Sequence, residues 1–493
     1  MNIYQKLVTI PPKTTFCSHE VAETSDHYNC LTERHIQVMW LEQKYFKNLH
    51  TIDNIPITVL SPGIWNNEAG PDFLKAHLRI GDKEYRGDVE LHLSEDSWYH
   101  HRHHLDKNYD HVILHVSFWQ SNKERSILTS EGRALERTHL KKHLTIAESR
   151  LTKLIDLELY PHHFFAGSGY CSRHLFQNLS SKKTTTLFQS ASMWRLEQKR
   201  QMLEEKSNSY CPFITGMAMA LGYKNNSEAF RDLFFHLKSL SHLEEQALFA
   251  YALGKCNFFN SHYLELWKNS PYYQFLADIF AKLPLTDYIL PALRLNKIRP
   301  SNHPVRRLSM LVRLCKMPEN TKFIENIKSQ WDPNIYTGNK KSLILMRNKL
   351  CSVIPRYDDD YWRWHYMFEE SRQTSPINIF GDDLCMEILV NVILPILYEE
   401  VQKKADPQEL EIFLIFFNSL PASKSQKSTY LANRFFGDHF SDHIFSKRDL
   451  QQGAYQLHRD FCIHFEASCI GCPFVDRYKI TSEVTYDVTS NSK

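Results

Sequence analysis

The sequence predicts a mixed α/β (α+β) protein whose sheet lies in the N-terminal part and whose C-terminal part is mainly helical. Apolar residues alternate with polar ones over residues 74–80 and 89–93, on either side of a Gly81-Asp82 turn. Such alternation indicates half-buried strands joined by a tight turn. A mostly apolar run at 112–116 predicts a further strand, and from about residue 165 the apolar spacing becomes helical.

Length and composition limit the class of protein. The chain has 493 residues, enough for two or three domains, and its 42% hydrophobic and 23% charged residues are ordinary for a globular protein. The net charge of +3 gives no bulk signal for nucleic acid, so a basic surface would have to be local. The polar N-terminus, the lack of a long apolar run and eleven scattered cysteines predict a cytoplasmic protein with reduced thiols and no membrane association.

A helix is expected just before the sheet, with Thr32 as its N-cap. Ile36, Met39 and Trp40 recur at helical spacing and form its apolar face. Glu33 falls on that same side, where an acidic side chain is unusual. One interpretation of this position is a helix-N-terminal glutamate favoured by the helix dipole.

Acidic residues of the predicted hairpin indicate a metal site. Asp72 precedes the first strand, and Glu90 and His92 lie two residues apart on the second, so that both project from one face. Pairing through the Gly81 turn would bring Asp72 towards Glu90, and converging carboxylates repel unless a cation joins them. Such oxygen ligands suit Mg²⁺ or Mn²⁺, and His92 is a candidate general base or phosphate contact.

A histidine-dense link follows these strands and admits several interpretations. It carries His100, His101, His103 and His104, with His111 just beyond it. Neutral imidazoles bind transition metals such as zinc or iron, and protonated ones contact phosphate. Alternatively, the histidines are partly exposed polar residues, with His104 and Asp106 holding the loop together. His104 and Asp106 are kept as additional site candidates.

Pro71-Asp72 followed by Glu90-x-His92 resembles the PD-(D/E)xK phosphodiesterase pattern, with histidine in place of the usual lysine. A second resemblance, to the uncharacterised bacterial family called domain of unknown function 2851, rests on A-G-P-D-F (69–73), G-D-V-E-L-H (87–92), W-Y-H-H-R-H-H-L-D (98–106) and Y-D-H-V-I-L-H-V (109–116). The phosphodiesterase resemblance implies a PD-(D/E)xK-like core. It also implies a divalent cation on Asp72 and Glu90, and an additional acid from the preceding helix, here Glu33.

The C-terminal end carries a second candidate site. Cys462, Cys469 and Cys472 form a C-x6-C-x2-C pattern, whose C-x2-C step lets two thiolates reach one metal. Candidates for a fourth ligand are His458, His464, Cys30 and Cys171. Zinc is the simplest occupant. An iron–sulfur cluster is the alternative, because some nucleases of the resembled superfamily hold one with one upstream and three downstream cysteines. Without a metal, these are free buried cysteines.

The predicted organisation is a lead-in (1–28), a PD-(D/E)xK-like α/β domain (29–165), a mainly helical domain (166–450), a cysteine-bearing segment (451–480) and a polar tail (481–493). The predicted function is metal-dependent hydrolysis of nucleic-acid phosphodiesters. Two alternatives stay open: a non-catalytic nucleic-acid-binding or scaffold protein, and a histidine-rich metalloenzyme with a different substrate. A local basic cluster could contact phosphates or cover acidic faces: Arg294, Lys297, Arg299, Arg306 and Arg307.

Overall fold

The computed structural model describes residues 2–9, 31–66, 70–121, 125–155, 157, 160, 168–284, 290, 293–295, 300–318, 322–355, 361–368, 372–437, 444–463, 469 and 472–490. The chain forms two compact units. The first comprises Met1–Ala191, Ser423–Phe445 and Gly453–Lys493, and the second comprises Ser192–Ala422 and Ser446–Gln452. The sheet belongs to the first unit, and the described part of the second is helical. The mixed α/β class predicted from the sequence is therefore confirmed.

The described strands form one mixed sheet. They are β1 (Ile57–Ser61), β2 (Ile64–Trp65), β3 (Phe73–Ile80), β4 (Lys83–Ser94), β5 (Val112–Trp119) and β6 (Glu136–His139). The order is β1-β3-β4-β5-β6, and β2 pairs with β3. β3 is antiparallel to β1 and β4, whereas β5 is parallel to β4 and β6. The hairpin and the third run predicted from the sequence are confirmed as β3, β4 and β5.

A glycine turn and a register shift together determine which residues of the β3–β4 hairpin face each other. Gly81 adopts φ +59°, a left-handed conformation that glycine takes without steric cost. The two strands run antiparallel from this turn and pair Ala76 with Gly87, and a register shift between Phe73 and Ala76 then pairs Phe73 with Val89. Asp72 and Glu90, the next residues outward, consequently face each other across the hairpin.

A second glycine lets β5 approach β4 closely. A Cβ atom at Gly87 would collide with the side chain of Ile113, so a larger residue there would push the strands apart. The parallel register that follows places Glu90 beside His115. Because β5 enters the sheet through a non-local connection, this pairing could not be read from the alternation of either strand alone.

The helices in chain order are α1 (Ile3–Thr9), α2 (Glu33–Glu42), α3 (Ser97–His100), α4 (Glu148–Leu154), α5 (Tyr170–His174), α6 (Ser181–Lys206), α7 (Pro212–Leu221), α8 (Tyr223–Ser239), α9 (Glu245–Lys255), α10 (Ser261–Leu266), α11 (Pro271–Lys282), α12 (Pro304–Lys316), α13 (Phe323–Gln330), α14 (Lys340–Cys351), α15 (Asp382–Ile388), α16 (Leu394–Lys404), α17 (Pro407–Ser419), α18 (Gln426–Phe436), α19 (Arg448–Leu457) and α20 (Phe474–Ser490). Two π-helical turns, Leu389–Ile393 and His458–Cys462, follow α15 and α19. Among the described residues, no helix is both long and apolar enough to cross a bilayer.

Helix α2 packs on the sheet through the apolar face predicted from its spacing. Thr32 is its N-cap residue, as expected. Ile36, Met39 and Trp40 are fully buried in the core of the first unit. The Trp40 indole N–H donates to the Pro62 carbonyl at 3.0 Å. This packing holds the first turn of α2 against β4.

Two arginines of the predicted basic cluster lie inside the second unit. Arg306 and Arg307 are on α12 and are buried. Arg306 donates to the Trp362 and Ile377 carbonyls, and Arg307 donates to the Leu221 carbonyl at the end of α7. Both side chains satisfy backbone carbonyls in the core, so they do not form a phosphate-binding surface. Lys297 and Arg299 lie outside the described residues.

Candidate functional site

Three acidic side chains from three elements converge at the sheet. Glu33 is the first residue of α2, Asp72 directly precedes β3 and Glu90 lies within β4. The Asp72 N–H donates to Glu90 Oε2 at 3.0 Å, and the Leu91 N–H donates to Asp72 Oδ2 at 3.0 Å. A backbone N–H of the same strand, from Leu93, donates to the Glu33 carboxylate. Backbone donors therefore hold all three carboxylates along β4.

This environment opposes the charged form of each acid. Burial, followed by the charges of Glu90 and Glu33, raises the pKa of Asp72 well above its ordinary range, although Gln37 Nε2 donates to Asp72 Oδ1 at 2.6 Å. Burial also raises the pKa of Glu90, and it raises the pKa of Glu33 to about 7. Within the described residues, no lysine or arginine forms an ion pair with the three acids. A divalent cation would relieve their repulsion.

Three histidines lie beside the acids. His92 is on β4, and His101 and His103 come from the histidine-dense link. One ring nitrogen from each lies within 4.8 Å of the other two. His92 Nε2 is 3.2 Å from His101 Nδ1, and Glu90 Oε1 is 3.4 Å from His92 Nε2 and 3.3 Å from His103 Nε2. Neighbouring ligands of a tetrahedral ion with bonds of about 2.0–2.1 Å are about 3.3–3.4 Å apart, so these atoms have the spacing of metal ligands.

The histidines are held in the neutral form that binds metals. Burial, followed by the charges of His115, His101 and His103, lowers the pKa of His92 well below its ordinary range. Burial lowers the pKa of His103 to about 4, and burial with the neighbouring histidines lowers the pKa of His101. At neutral pH each ring therefore offers a lone pair. His92 consequently does not supply the positive charge of the lysine in the resembled pattern.

A fourth histidine orients His92. His115 is buried on β5, and its Nε2 lies 2.9 Å from His92 Nδ1, so one of the two rings donates to the other. Donation by His92 Nδ1 leaves its Nε2 lone pair facing Glu90. The Trp98 ring packs edge-on against His115, with ring centroids 5.4 Å apart. A second hydrogen bond that fixes the ring and its tautomer is typical of a metal-binding histidine.

Two further candidates from the sequence, His104 and Asp106, make contacts within the histidine-dense link. His104 packs its ring against Tyr99, with ring centroids 4.7 Å apart. Asp106 is exposed, and its side chain accepts from the Asn108 N–H at 2.9 Å, which caps a turn. Both contacts lie within the link, and the charge of Asp106 also acts on His103, where it opposes the lowering of the pKa by burial. Glu68, in the loop before Asp72, lies outside the described residues.

Sequence reasoning missed Gln37 and His115. Gln37 lies one helical turn after Glu33, so the i, i+4 spacing of two polar residues on a buried face was an available signal. His115 interrupts an apolar strand, and such an interruption was the only sign of its role. Its pairing with Glu90 depends on the parallel register of β4 and β5.

The cysteines of the second candidate site lie in the first unit. Cys462 ends a π-helical turn, and Cys469 and Cys472 precede α20. Cys171, one of the proposed fourth ligands, joins them. Cys30 and His464 lie outside the described residues. His458 is buried, with its ring edge-on to Tyr430.

The fold and the site define a mixed α/β protein with a buried acid–histidine centre built on a helix and two paired strands. The chain belongs to the family described as Protein of unknown function (DUF2851), whose model matches residues 33–426. All the acids and histidines of the centre fall within the matched segment, whereas Cys462, Cys469 and Cys472 lie beyond it. Comparisons with curated proteins and with solved structures found no match.

Proposed function

We propose that this protein is a metal-dependent phosphodiesterase that cleaves nucleic acid. The observation that carries the proposal is the convergence of Glu33, Asp72 and Glu90, whose pKa values are raised by burial and, for Asp72 and Glu90, also by the neighbouring acids. A divalent cation stabilises such a group of carboxylates and serves phosphodiester hydrolysis. The order of helix acid, strand aspartate and Glu-x-His also follows the resembled PD-(D/E)xK pattern, which supports the assignment.

The donor set indicates which ion would bind. Asp72 and Glu90 would supply carboxylate oxygens, with Glu33 completing the oxygen donors. His92 and His103 place neutral ring nitrogens beside Glu90. Mg²⁺ prefers oxygen ligands and retains waters, whereas zinc and iron accept imidazole readily. Mn²⁺ accepts both kinds of donor, so we assign it as the preferred ion, ahead of Mg²⁺.

The residues of the centre would have separate roles in phosphodiester hydrolysis. The bound ion would orient the phosphate and lower the pKa of an attacking water. Glu33 would be ionised once the ion is bound, because a neighbouring cation favours the charged form of a carboxylate. His101 is exposed at the edge of the centre, where a substrate phosphate can approach. His92, His103 and Glu90 are buried, so water is excluded from the part of the centre that they form.

A second candidate function is a metalloenzyme with a substrate other than nucleic acid. The observation in its favour is the group of three neutral histidines, a donor set that suits zinc or iron better than magnesium. A third is a nucleic-acid-binding or scaffold protein that keeps the fold without efficient chemistry, since neutral His92 replaces the charged lysine.

The proposal is tested by measuring cleavage of single-stranded DNA, double-stranded DNA, RNA and a small aryl phosphodiester, with Mg²⁺, Mn²⁺ and Zn²⁺ supplied separately. Glu90→Gln keeps the side-chain shape and removes the charge. It should lower turnover at least about 100-fold. The matched control is Glu84→Gln, on the same strand but exposed and paired with Arg79. The control should retain wild-type activity.

Each outcome separates the candidates. If wild-type protein cleaves no phosphodiester with any of the ions, the catalytic proposal is wrong. Cleavage of the small phosphodiester alone would favour the metalloenzyme with another substrate. Equal cleavage by wild type and Glu90→Gln would place the activity outside this centre.

A further inference from the structure

Four cysteines that are far apart in sequence gather in the first unit. Cys171 lies on α5, Cys462 ends the π-helical turn His458–Cys462, and Cys469 and Cys472 lie just before α20. None of the four is in a disulfide. Cys171 and Cys462 are buried, and the other two are partly buried. Burial, Cys472 and Cys469 raise the pKa of Cys171, which shows that the thiols influence one another.

Hydrogen-bond distances connect the segments that carry these cysteines. Cys472 Sγ lies 3.9 Å from the carbonyl oxygen of Phe461, the residue before Cys462. The Gly169 N–H donates to the Arg434 carbonyl at 2.7 Å, which joins the start of α5 to α18. A Cβ atom at Gly169 would lie 3.5 Å from Cys469 Sγ. The tighter contact of that Cβ atom, 3.0 Å, would be with the Arg434 carbonyl oxygen, so glycine lets the α5 segment approach the Arg434 backbone beside the sulfur.

A buried arginine faces the sulfurs. Arg434 is 1% exposed, and one of its terminal nitrogens donates to Cys469 Sγ at 3.2 Å. Its side chain also hydrogen-bonds Cys462. One side chain therefore contacts Cys469 and Cys462, which brings these two sulfurs to the same place.

We propose that Cys171, Cys462, Cys469 and Cys472 are the four ligands of a thiolate-bound metal centre, and that this centre is an iron–sulfur cluster. Sulfur ligands of one zinc ion, with bonds of about 2.3 Å, lie about 3.8 Å apart. Among the described residues, no three of the four cysteine sulfurs lie within 4.8 Å of one another. The ring nitrogens of His92, His101 and His103, by contrast, do lie within that distance. In a [4Fe–4S] cluster each of the four cysteines binds a different iron, so the cysteine sulfurs are more widely spaced than the ligands of one zinc ion.

The centre would have a structural role. Cys171 precedes Cys462 by about 290 residues, so a bond from both to one cluster closes a very long loop. Closing such a loop restricts the conformations of the unfolded chain. The free energy of cluster binding also stabilises the folded protein, because the four cysteines come together only in the folded state. The cluster would therefore hold α5 to the segment before α20. It is independent of the proposed phosphodiesterase centre, whose residues it does not share.

The test uses full-length protein purified without oxygen, analysed for iron, acid-labile sulfide and zinc, with its visible absorption spectrum. Wild-type protein should contain iron and sulfide and absorb broadly in the visible range. Cys171→Ser should lose iron as completely as Cys469→Ser does, although it lies outside the local C-x6-C-x2-C pattern. The control is Cys211→Ser, at the N-cap of α7, where serine is favoured. The control should retain full iron content.

A second measurement does not depend on whether the variants fold. Wild-type protein, with and without its iron removed by a chelator, is alkylated at free thiols and analysed by mass spectrometry. The cluster should shield partly buried Cys469 and Cys472, while Cys211 reacts equally in both samples. If the protein contains zinc but no iron, and the same cysteines are shielded, the iron–sulfur cluster is wrong and the four-cysteine metal centre is retained. Absence of both metals, or unchanged iron in Cys171→Ser, would overturn the centre.

Discussion

His92 Nδ1 lies 2.9 Å from His115 Nε2, so the imidazole whose Nε2 faces Glu90 is hydrogen-bonded through its other nitrogen to a histidine on the neighbouring strand. One proton lies between the two nitrogens. Its position decides whether His92 Nε2 carries a hydrogen or a lone pair. The ability of His92 to bind a metal therefore depends on a residue that does not itself face the acids.

Replacing His115 tests this dependence. We expect His115→Leu to weaken divalent-metal affinity about 10–100-fold, because His92 loses the partner that fixes its tautomer. The measurement is calorimetric titration with Mn²⁺. The control is His104→Leu, in the histidine-dense link but packed on Tyr99. Equal affinities for the two variants would contradict a positioning role for His115.

Metal binding should release protons. Asp72, Glu90 and Glu33 have raised pKa values in the metal-free protein, so near neutral pH the site holds protons that a cation must displace. Calorimetry in buffers of different ionisation enthalpy should give buffer-dependent binding heats, and affinity should rise as the pH rises. Heats that do not depend on the buffer would show that the acids are already ionised.

Glu33→Gln should stabilise the metal-free protein while weakening metal binding. The pKa of Glu33 rises from 4.5 to about 7 on folding. Its ionisation therefore destabilises the fold progressively as the pH rises from about 4.5 to about 7, and the cost stays constant above that range. At about pH 8 the variant should gain roughly 1–3 kcal/mol in free energy of unfolding, and the gain should vanish near pH 4. Urea unfolding in the presence of a chelator measures this, and an unstable variant at both pH values would contradict it.

A second acid, Glu95, should contribute the opposite pH dependence. It accepts from Arg137 at 2.7 Å and from the Ser121 N–H at 3.1 Å, and it lies 3.5 Å from His139 Nε2. Burial opposes its charge, but His139, Ser121 and Arg137 prevail and lower the pKa of Glu95 to about 2. The resulting stability is fully present above about pH 4.5 and is lost as the pH falls towards 2.

Glu95→Gln should therefore lower the free energy of unfolding at pH 7 by roughly 1–3 kcal/mol, because its buried partners lose a charged acceptor. The difference from wild type should shrink as the pH falls below about 4.5. Chemical unfolding at a series of pH values measures it. Glu84→Gln, which alters an exposed ion pair, should leave the unfolding midpoint nearly unchanged. A difference that persists unchanged at pH 3 would assign the effect to packing.

The amino-acid sequence by itself determined the local parts of the site. Alternation over residues 74–80 and 89–93, with a glycine turn between them, specifies an antiparallel hairpin, which brings Asp72 towards Glu90. The register shift between Phe73 and Ala76, which places Asp72 and not Phe73 opposite Glu90, was not specified by that alternation. Glu33 was identifiable because helical periodicity placed it on the buried face of α2. The C-x2-C step was equally local, since both sulfurs lie within one turn.

Only the tertiary structure decided which distant residues complete these sites. His115 reaches His92 because β5 enters the sheet parallel to β4, and no pattern within either strand specifies that register. Cys171 reaches the C-terminal cysteines across about 290 residues. Of the histidines in the link, His103 contacts Glu90, His101 contacts His92 and His104 contacts Tyr99, because turns that the sequence leaves open direct each ring. Local patterns carry strand and helix periodicity, whereas long-range pairing depends on how the whole chain buries its apolar surface.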